Sequence, residues 1–381
     1  MNKKIITALI ALTLIVPATS NAVNLSNKTL VPTVAILDTA LDSSLPIFNG
    51  RIAYEVCILE WNSCPNGKSF MEGPGSTNLP SSIITKNGFG HGTQMSSIFV
   101  ANSTDVNIVF VRIIGNTASG ERQIANEVTI TRALDWVYKN KDLLNIQAVT
   151  MAQGHHNLGY ATNYCPNTPA TQSQLKAFVS AGLPVFFAAG NAGDLKRIDW
   201  PSCIDDSIAV GASTSQDELA IYSNYDENKI DFVALGNTVA LSPVTGKQVN
   251  VRGTSASTQI AAANWLAVKK IRPGISYKDL YALMRNSAIP AKSTSTIIAK
   301  LISSDSAIKY LGADAARQAA EEAAKAAAKA AAIDLLMKKQ EQEILQILEK
   351  YNASVLELSK AKDSSIDTLK KTIAAEVAKL G

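Results

Sequence analysis

Residues 31–38, VPTVAILD, carry apolar side chains at nearly every position and end on a carboxylate. A half-buried strand alternates apolar and polar residues, whereas an unbroken β-branched run is buried on both faces, as in a parallel sheet layered between helices. The same signature recurs in NIVFVRII (107–114), IQAVTMA (146–152), PVFFAAG (184–190), SIAVGA (207–212) and IDFVALG (230–236). Between these runs, ERQIANEVTITRALDWVYKN (121–140) and TPATQSQLKAFVSAG (168–182) space their apolar residues as helices do. Strand and helix therefore alternate, and the expectation is an α/β domain with a doubly wound, mostly parallel sheet.

The composition changes at Gly312. From there to Gly381 the chain is dominated by Ala, Glu, Lys and Leu, with no Gly or Pro between the two ends, which is the composition of long helices. Ile366, Leu369, Ile373 and Leu380 follow a three-and-four spacing, and Ile344, Ile347, Tyr351 and Leu358 do so less strictly. Coiled-coil pairing between copies fits that spacing, and so does a solvated amphipathic helix or a hairpin. Asp363-Ser364-Ser365 breaks the pattern and is expected to cap a second helix. The chain thus divides into an N-terminal segment (1–22), a body (23–311) and a helical C-terminal appendage (312–381).

The N-terminal segment, MNKKIITALIALTLIVPATSNA, places two lysines before a short apolar run and small residues after it. That is the order of a secretory signal peptide, and the run is too short to anchor the chain across a bilayer. The expected location is secreted or periplasmic, with no membrane span. Four cysteines, Cys57, Cys64, Cys165 and Cys203, form an even set in an oxidising compartment. Three pairings are open; the favoured one closes a short loop with Cys57–Cys64 and ties two loops with Cys165–Cys203. Neither C-x-x-C nor H-E-x-x-H occurs, which argues against zinc. A net charge of +4 over 381 residues, with lysines concentrated toward the C-terminus, argues against a nucleic-acid partner.

In an open α/β sheet, ligands gather at the carboxyl ends of the strands. Asp38 follows the first strand and Asn191 the run VFFAAG. Ser255 begins the small-residue helix of VRGTSASTQIAAANWLA (251–267), and His91 opens that of GFGHGTQMSSIFVAN (88–102). Each alone reads as a turn former or a helix cap. Together they supply a nucleophile, a base, an orienting carboxylate and an oxyanion donor, the set that acyl transfer to water requires.

The segments VAILDTALD, GHGTQMSSI and GTSASTQIAAA, in that order, resemble the Asp, His and Ser blocks of the subtilisin-like serine proteases. FFAAGNAGD is similar to that family's oxyanion segment, and SIAVGA and YSNYDENKIDFVALG to stretches flanking its substrate pocket and leading to its nucleophile. The resemblance covers roughly residues 31–311. It implies an endopeptidase with Ser255 as nucleophile, His91 as general base and later acid, Asp38 as the carboxylate that fixes the imidazole, and Asn191 as a side-chain donor to the oxyanion. It further implies that Ala152, Gln153 and Gly154 pair with substrate backbone. Asp199, just ahead of Trp200-Pro201, falls at the floor of the primary specificity pocket and would favour Lys or Arg before the cleaved bond; pairing with Arg197 or Lys196, or exposure to water, is the other reading. Ile47 stands where relatives carry a calcium-ligating Asp, and the segment from His91 to Arg112 is short, so neither metal nor cofactor is expected. Other departures are Ala40, Ala152, Ala256, Ser257 and Gln259, and too little chain ahead of Asp38 for an inhibitory propeptide. Protein or peptide substrates are the implied partners, with a second copy as a further one through the C-terminal helices. The alternative from another class is a protease-like binding or scaffold protein displaying that appendage.

Overall fold

The computed structural model describes residues 31–123, 125–155, 165–291 and 299–379; the N-terminal segment 1–22 and Leu380 lie outside them. The chain divides into two compact units between Ile308 and Lys309.

The first unit is built on a ten-stranded sheet. Its strands are β1 (Thr33–Asp38), β2 (Ile52–Ile58), β3 (Phe70–Glu72), β4 (Asn107–Arg112), β5 (Ile146–Met151), β6 (Val185–Ala188), β7 (Ile208–Ser213) and β8 (Phe232–Leu235), joined after the hairpin β9 (Asn237–Leu241) and β10 (Gln248–Arg252) by β11 (Ile289–Pro290) and β12 (Lys300–Leu301). The helices are α1 (Ser81–Ile84), α2 (His91–Asn102), α3 (Glu127–Asn140), α4 (Pro169–Ser180), α5 (Thr254–Ile271), α6 (Tyr277–Ser287) and α7 (Ser304–Lys379). The sheet runs β11-β12-β8-β7-β6-β5-β1-β4-β2-β3, and β9 pairs with β10 separately. Every pairing from β12 to β2 is parallel, while β3 and β11 attach antiparallel at the two edges. Each of the six runs expected as strands forms one.

Both faces are covered, as the unbroken apolar runs require. Ala35 and Leu37 of β1 join Val109, Val149 and Phe187 in a cluster with Ile130, Leu134 and Val137 of α3 and Leu175 and Phe178 of α4. On alternate positions Ile36, Phe110 and Phe186 are fully buried, and Phe186 meets Trp265 of α5 edge-on, ring centroids 5.8 Å apart. Burying side chains of this size contributes about 2–3 kcal/mol each. The alanines of α5, Ala261, Ala262 and Ala263, are likewise buried, which lets that helix lie close on the sheet.

The sequence pattern does not announce β2, which holds Tyr54 and Glu55. Burial of Glu55 is tolerated because its carboxylate accepts hydrogen bonds from Thr77 Oγ1 (2.5 Å) and Gly75 N (2.8 Å). Both favoured disulfides are present, Cys57–Cys64 and Cys165–Cys203, with Cα atoms 5.9 and 5.8 Å apart.

Helix α7 is continuous over 76 residues. The expected interruption at Asp363-Ser364-Ser365 does not occur, and neither does a hairpin turn. Ser365 Oγ donates to the Ala361 carbonyl (2.9 Å) and Thr368 Oγ1 to that of Ser364 (2.9 Å), so the hydroxyl groups are satisfied one turn back within the helix instead of capping a new one. Ile344, Ile347, Tyr351, Leu358, Ile366, Leu369 and Ile373 are all exposed.

Candidate active site

Asp38 is the last residue of β1 and is fully buried. Its Oδ1 accepts from Thr39 N (2.7 Å) and lies 2.8 Å from His91 Nδ1, with Oδ2 at 3.0 Å from the same nitrogen. An ionised carboxylate only accepts, so Nδ1 carries the proton and the lone pair of the imidazole is on Nε2. His91 is the first residue of α2, its side chain 25% exposed. The start of α2 is pinned to the end of β1 by Thr39, whose Oγ1 donates to Phe89 O (2.6 Å) and accepts from Gly92 N (2.9 Å). Asp42 N donates to Thr93 Oγ1 at 2.9 Å, a second tie between the two segments.

Ser255 is the second residue of α5 and half-buried. Met95 of α2, Ala256 of α5, Ala152 and Ala240 pack in one cluster, so the two helices stand side by side with His91 and Ser255 each in the first turn. Ser255 Oγ donates to Ala152 O at 3.4 Å, and among the described residues no hydrogen bond joins it to His91. Asn191 is exposed beside it, and its Oδ1 accepts from Thr254 N (2.8 Å) and Thr254 Oγ1 (3.2 Å). Because the Thr254 amide can only donate, the carbonyl end of Asn191 is fixed against the helix and its Nδ2 donors are left to face elsewhere.

Ala152, Gln153 and Gly154 follow β5. The side chain of Gln153 turns toward Asp38: its Nε2 donates to Asp38 Oδ1 (2.9 Å) and stands 3.0 Å from His91 Nδ1, while Oε1 accepts from Arg122 Nη2. Packing around the Arg122 guanidinium lowers its pKa from the ordinary value, and the Asp38 charge opposes that. Arg122, Gln153, Gly154 and His155 line, with Ile114, Ala125 and Ile130, a cavity of about 320 Å³.

Asp199 is half-buried beside this cleft. Its Oδ1 accepts from Asn224 Nδ2 at 2.8 Å, and Arg197 instead pairs with Asp194 (2.7 Å). The carboxyl lies over Gly190, where φ is +104° and an added Cβ would sit 2.3 Å from Asp199 Cγ; only glycine fits there. Asn224, missed in the sequence, is fully buried and organises the whole loop. Its Oδ1 accepts from Ala192 N (2.9 Å) and Asp194 N (3.1 Å), and its Nδ2 also donates to Ala189 O (3.2 Å). No signal short of the folded contacts distinguishes Asn224 from an ordinary loop asparagine. Among the described residues no group of three or more His, Cys, Asp or Glu could hold a metal ion, and no helix is long and apolar enough to cross a membrane.

The sequence model of the subtilase family, peptidase S8, matches residues 31–336. The chain belongs to the subtilase family. Savinase, a subtilisin from Lederbergia lenta, is 25% identical over 247 residues, covering 62% of this chain and 83% of that one. A cold-adapted subtilisin-like serine proteinase shares the fold with a TM-score of 0.53 at 20% identity, covering 71% of this chain and 88% of that chain. A protease from Pseudoalteromonas arctica does so with a TM-score of 0.59 at 18% identity, covering 73% and 89%. The chain is thus a subtilisin-like serine protease, a hydrolase. Two of this subtilase's departures are accommodated inside α5: Ser257 Oγ donates to Ala234 O (2.8 Å), and buried Gln259 accepts from Thr150 Oγ1 (3.1 Å).

Proposed function

We propose that this subtilase is an exported serine endopeptidase in which Ser255, His91 and Asp38 form the catalytic triad and Asn191 donates to the oxyanion. The observation that carries the reading is the buried Asp38 carboxylate 2.8 Å from His91 Nδ1, beside the first turn of the helix that begins with Thr254 and Ser255. With Nδ1–H held by Asp38, Nε2 takes the Ser255 proton as Oγ attacks the substrate carbonyl. The oxyanion that develops is met by Asn191 Nδ2 and the N–H groups at the start of α5, where the helix dipole favours negative charge. His91 then protonates the leaving amine, and water repeats the sequence on the acyl-enzyme.

The backbone of Ala152, Gln153 and Gly154 receives the extended substrate, and Asp199 at the pocket floor selects Lys or Arg before the cleaved bond. A carboxylate removed from water gains from a cationic partner, which supports the preference. Residues 1–22 act as the export signal, consistent with two disulfides in the body. Residues 23–311 form the peptidase and 312–381 an appendage through which copies associate. No cofactor is needed.

One observation favours the second reading, a protease-like binding protein: the Ser255 hydroxyl rests on the Ala152 carbonyl and not on His91. Such bonds often tighten only with substrate. A fluorophosphonate probe, which reacts with an activated serine, separates the two. Folded wild type is expected to label and Ser255→Ala not to; an unlabelled wild type, or equal labelling of both, overturns the assignment.

A further inference from the structure

Asp38 has more donors than its pairing with His91 requires. Its Oδ1 accepts from Thr39 N at 2.7 Å, His91 Nδ1 at 2.8 Å and Gln153 Nε2 at 2.9 Å. The two side-chain nitrogens converge on one oxygen. The Gln153 amide is not free to turn over, because its Oε1 accepts from Arg122 Nη2. Reversed, it would set Oε1 against the carboxylate and its N–H groups against the guanidinium, replacing two hydrogen bonds with two repulsions. Arg122 therefore decides which end of Gln153 faces Asp38.

We propose that Gln153, oriented by Arg122, is a positioning residue for the Asp38–His91 pair. This rests on the triad reading above. The physical reason is that a carboxylate tied by several donors is held in one orientation, and the imidazole that donates to it is held with it. Without Arg122 the Gln153 amide loses the partner that decides which end faces Asp38, and the carboxylate loses one of its donors. Lys86, from the turn ahead of α2, lines a cavity with His91, Gln94 and Arg122, and Asp42 accepts from Ser44 and from Val244 N, so neither takes the place of Gln153 on Asp38.

Arg122→Met is expected to lower kcat on a peptide substrate about tenfold with KM little changed. Gln153→Ala is expected to lower it too, and in the double variant the loss should be no greater than in Gln153→Ala alone, because the route from Arg122 is gone. Arg122→Lys, which keeps a charged donor, should restore much of the wild-type kcat. The His91 Nδ1–H proton resonance, read by NMR independently of turnover, should move in Arg122→Met and return toward its wild-type position in Arg122→Lys. An unchanged kcat or an unmoved resonance in Arg122→Met, or the full Arg122→Met loss persisting with Ala at 153, overturns the proposal. If Gln153→Ala does not fold, the surface variants Arg122→Met and Arg122→Lys still decide it. A wild type that fails to label with the fluorophosphonate overturns the triad reading instead, and the Nδ1–H resonance still reads the chain from Arg122 to His91.

Discussion

At the scale of single residues, Asn191 has two ends with separate duties. Its carbonyl oxygen braces Thr254, and its amide is the proposed oxyanion donor. Asn191→Ala should lower kcat by about 10²- to 10³-fold with a smaller change in KM. Asn191→Asp keeps the acceptor for Thr254 while removing the donor, so it should lose at least as much; near-wild-type kcat in that variant would leave the amide without a catalytic part. Asp199 is tested by comparing kcat/KM on matched peptides with Arg or Leu before the cleaved bond. Wild type should prefer Arg, and Asp199→Ser should lose most of that preference. Equal rates in wild type, or an undiminished preference in the variant, would remove Asp199 from the pocket. Asp38, His91 and Ser255 stand out as candidates in the sequence because each ends a strand or opens a helix, and Asn191 because it follows the run VFFAAG. The side chains of Gln153 and Arg122 do not. Gln153 meets Asp38 across 115 positions of sequence, a contact that exists only once β1 and β5 lie side by side.

At the scale of elements, Asp231 links three of them. It precedes β8 and accepts from Ala209 N of β7 (2.8 Å) and from the Tyr281 hydroxyl of α6. Burial raises its pKa above the ordinary 3.8, with those hydrogen bonds and Arg285 opposing. A raised carboxyl pKa means that the native state keeps a proton the unfolded chain has released. Stability from this group is therefore complete below the unfolded value and falls as pH rises through the folded one. Relative to Asp231→Asn, which cannot titrate, wild type should lose stability as pH rises from about 4 toward neutrality. Urea midpoints of both proteins check this, and a constant difference across that range would contradict it. The six largely apolar runs gave themselves away as buried parallel strands because their few polar residues, such as Arg112, Gln147 and Asp231, are too sparse to set up the alternation of a half-exposed strand. Strand β2 did not, since its Glu55 is made tolerable by Thr77 and Gly75, partners no local pattern contains. The continuity of α7 was also hidden: the Asp-Ser-Ser triplet carries the chemistry of a cap, and only the flanking helix formers decide that the Ser365 hydroxyl turns back inward.

At the scale of the molecule, the appendage and the peptidase unit should be separable in function. Truncation after residue 311 should leave rates on small peptide substrates unchanged while lowering the solution mass from that of an oligomer to that of a monomer. The same monomeric mass for both proteins would mean that the exposed apolar positions of α7 do not pair between copies. The edges of the great sheet bear on something else. A protease meets peptides, and an extended peptide can add to an exposed sheet edge as a further strand. This sheet offers them edge strands of only three and two residues, β3 and β11, and both run counter to the parallel strands behind them. Such short edges resist strand addition. The great sheet is thereby guarded against being drawn into aggregates of extended chains.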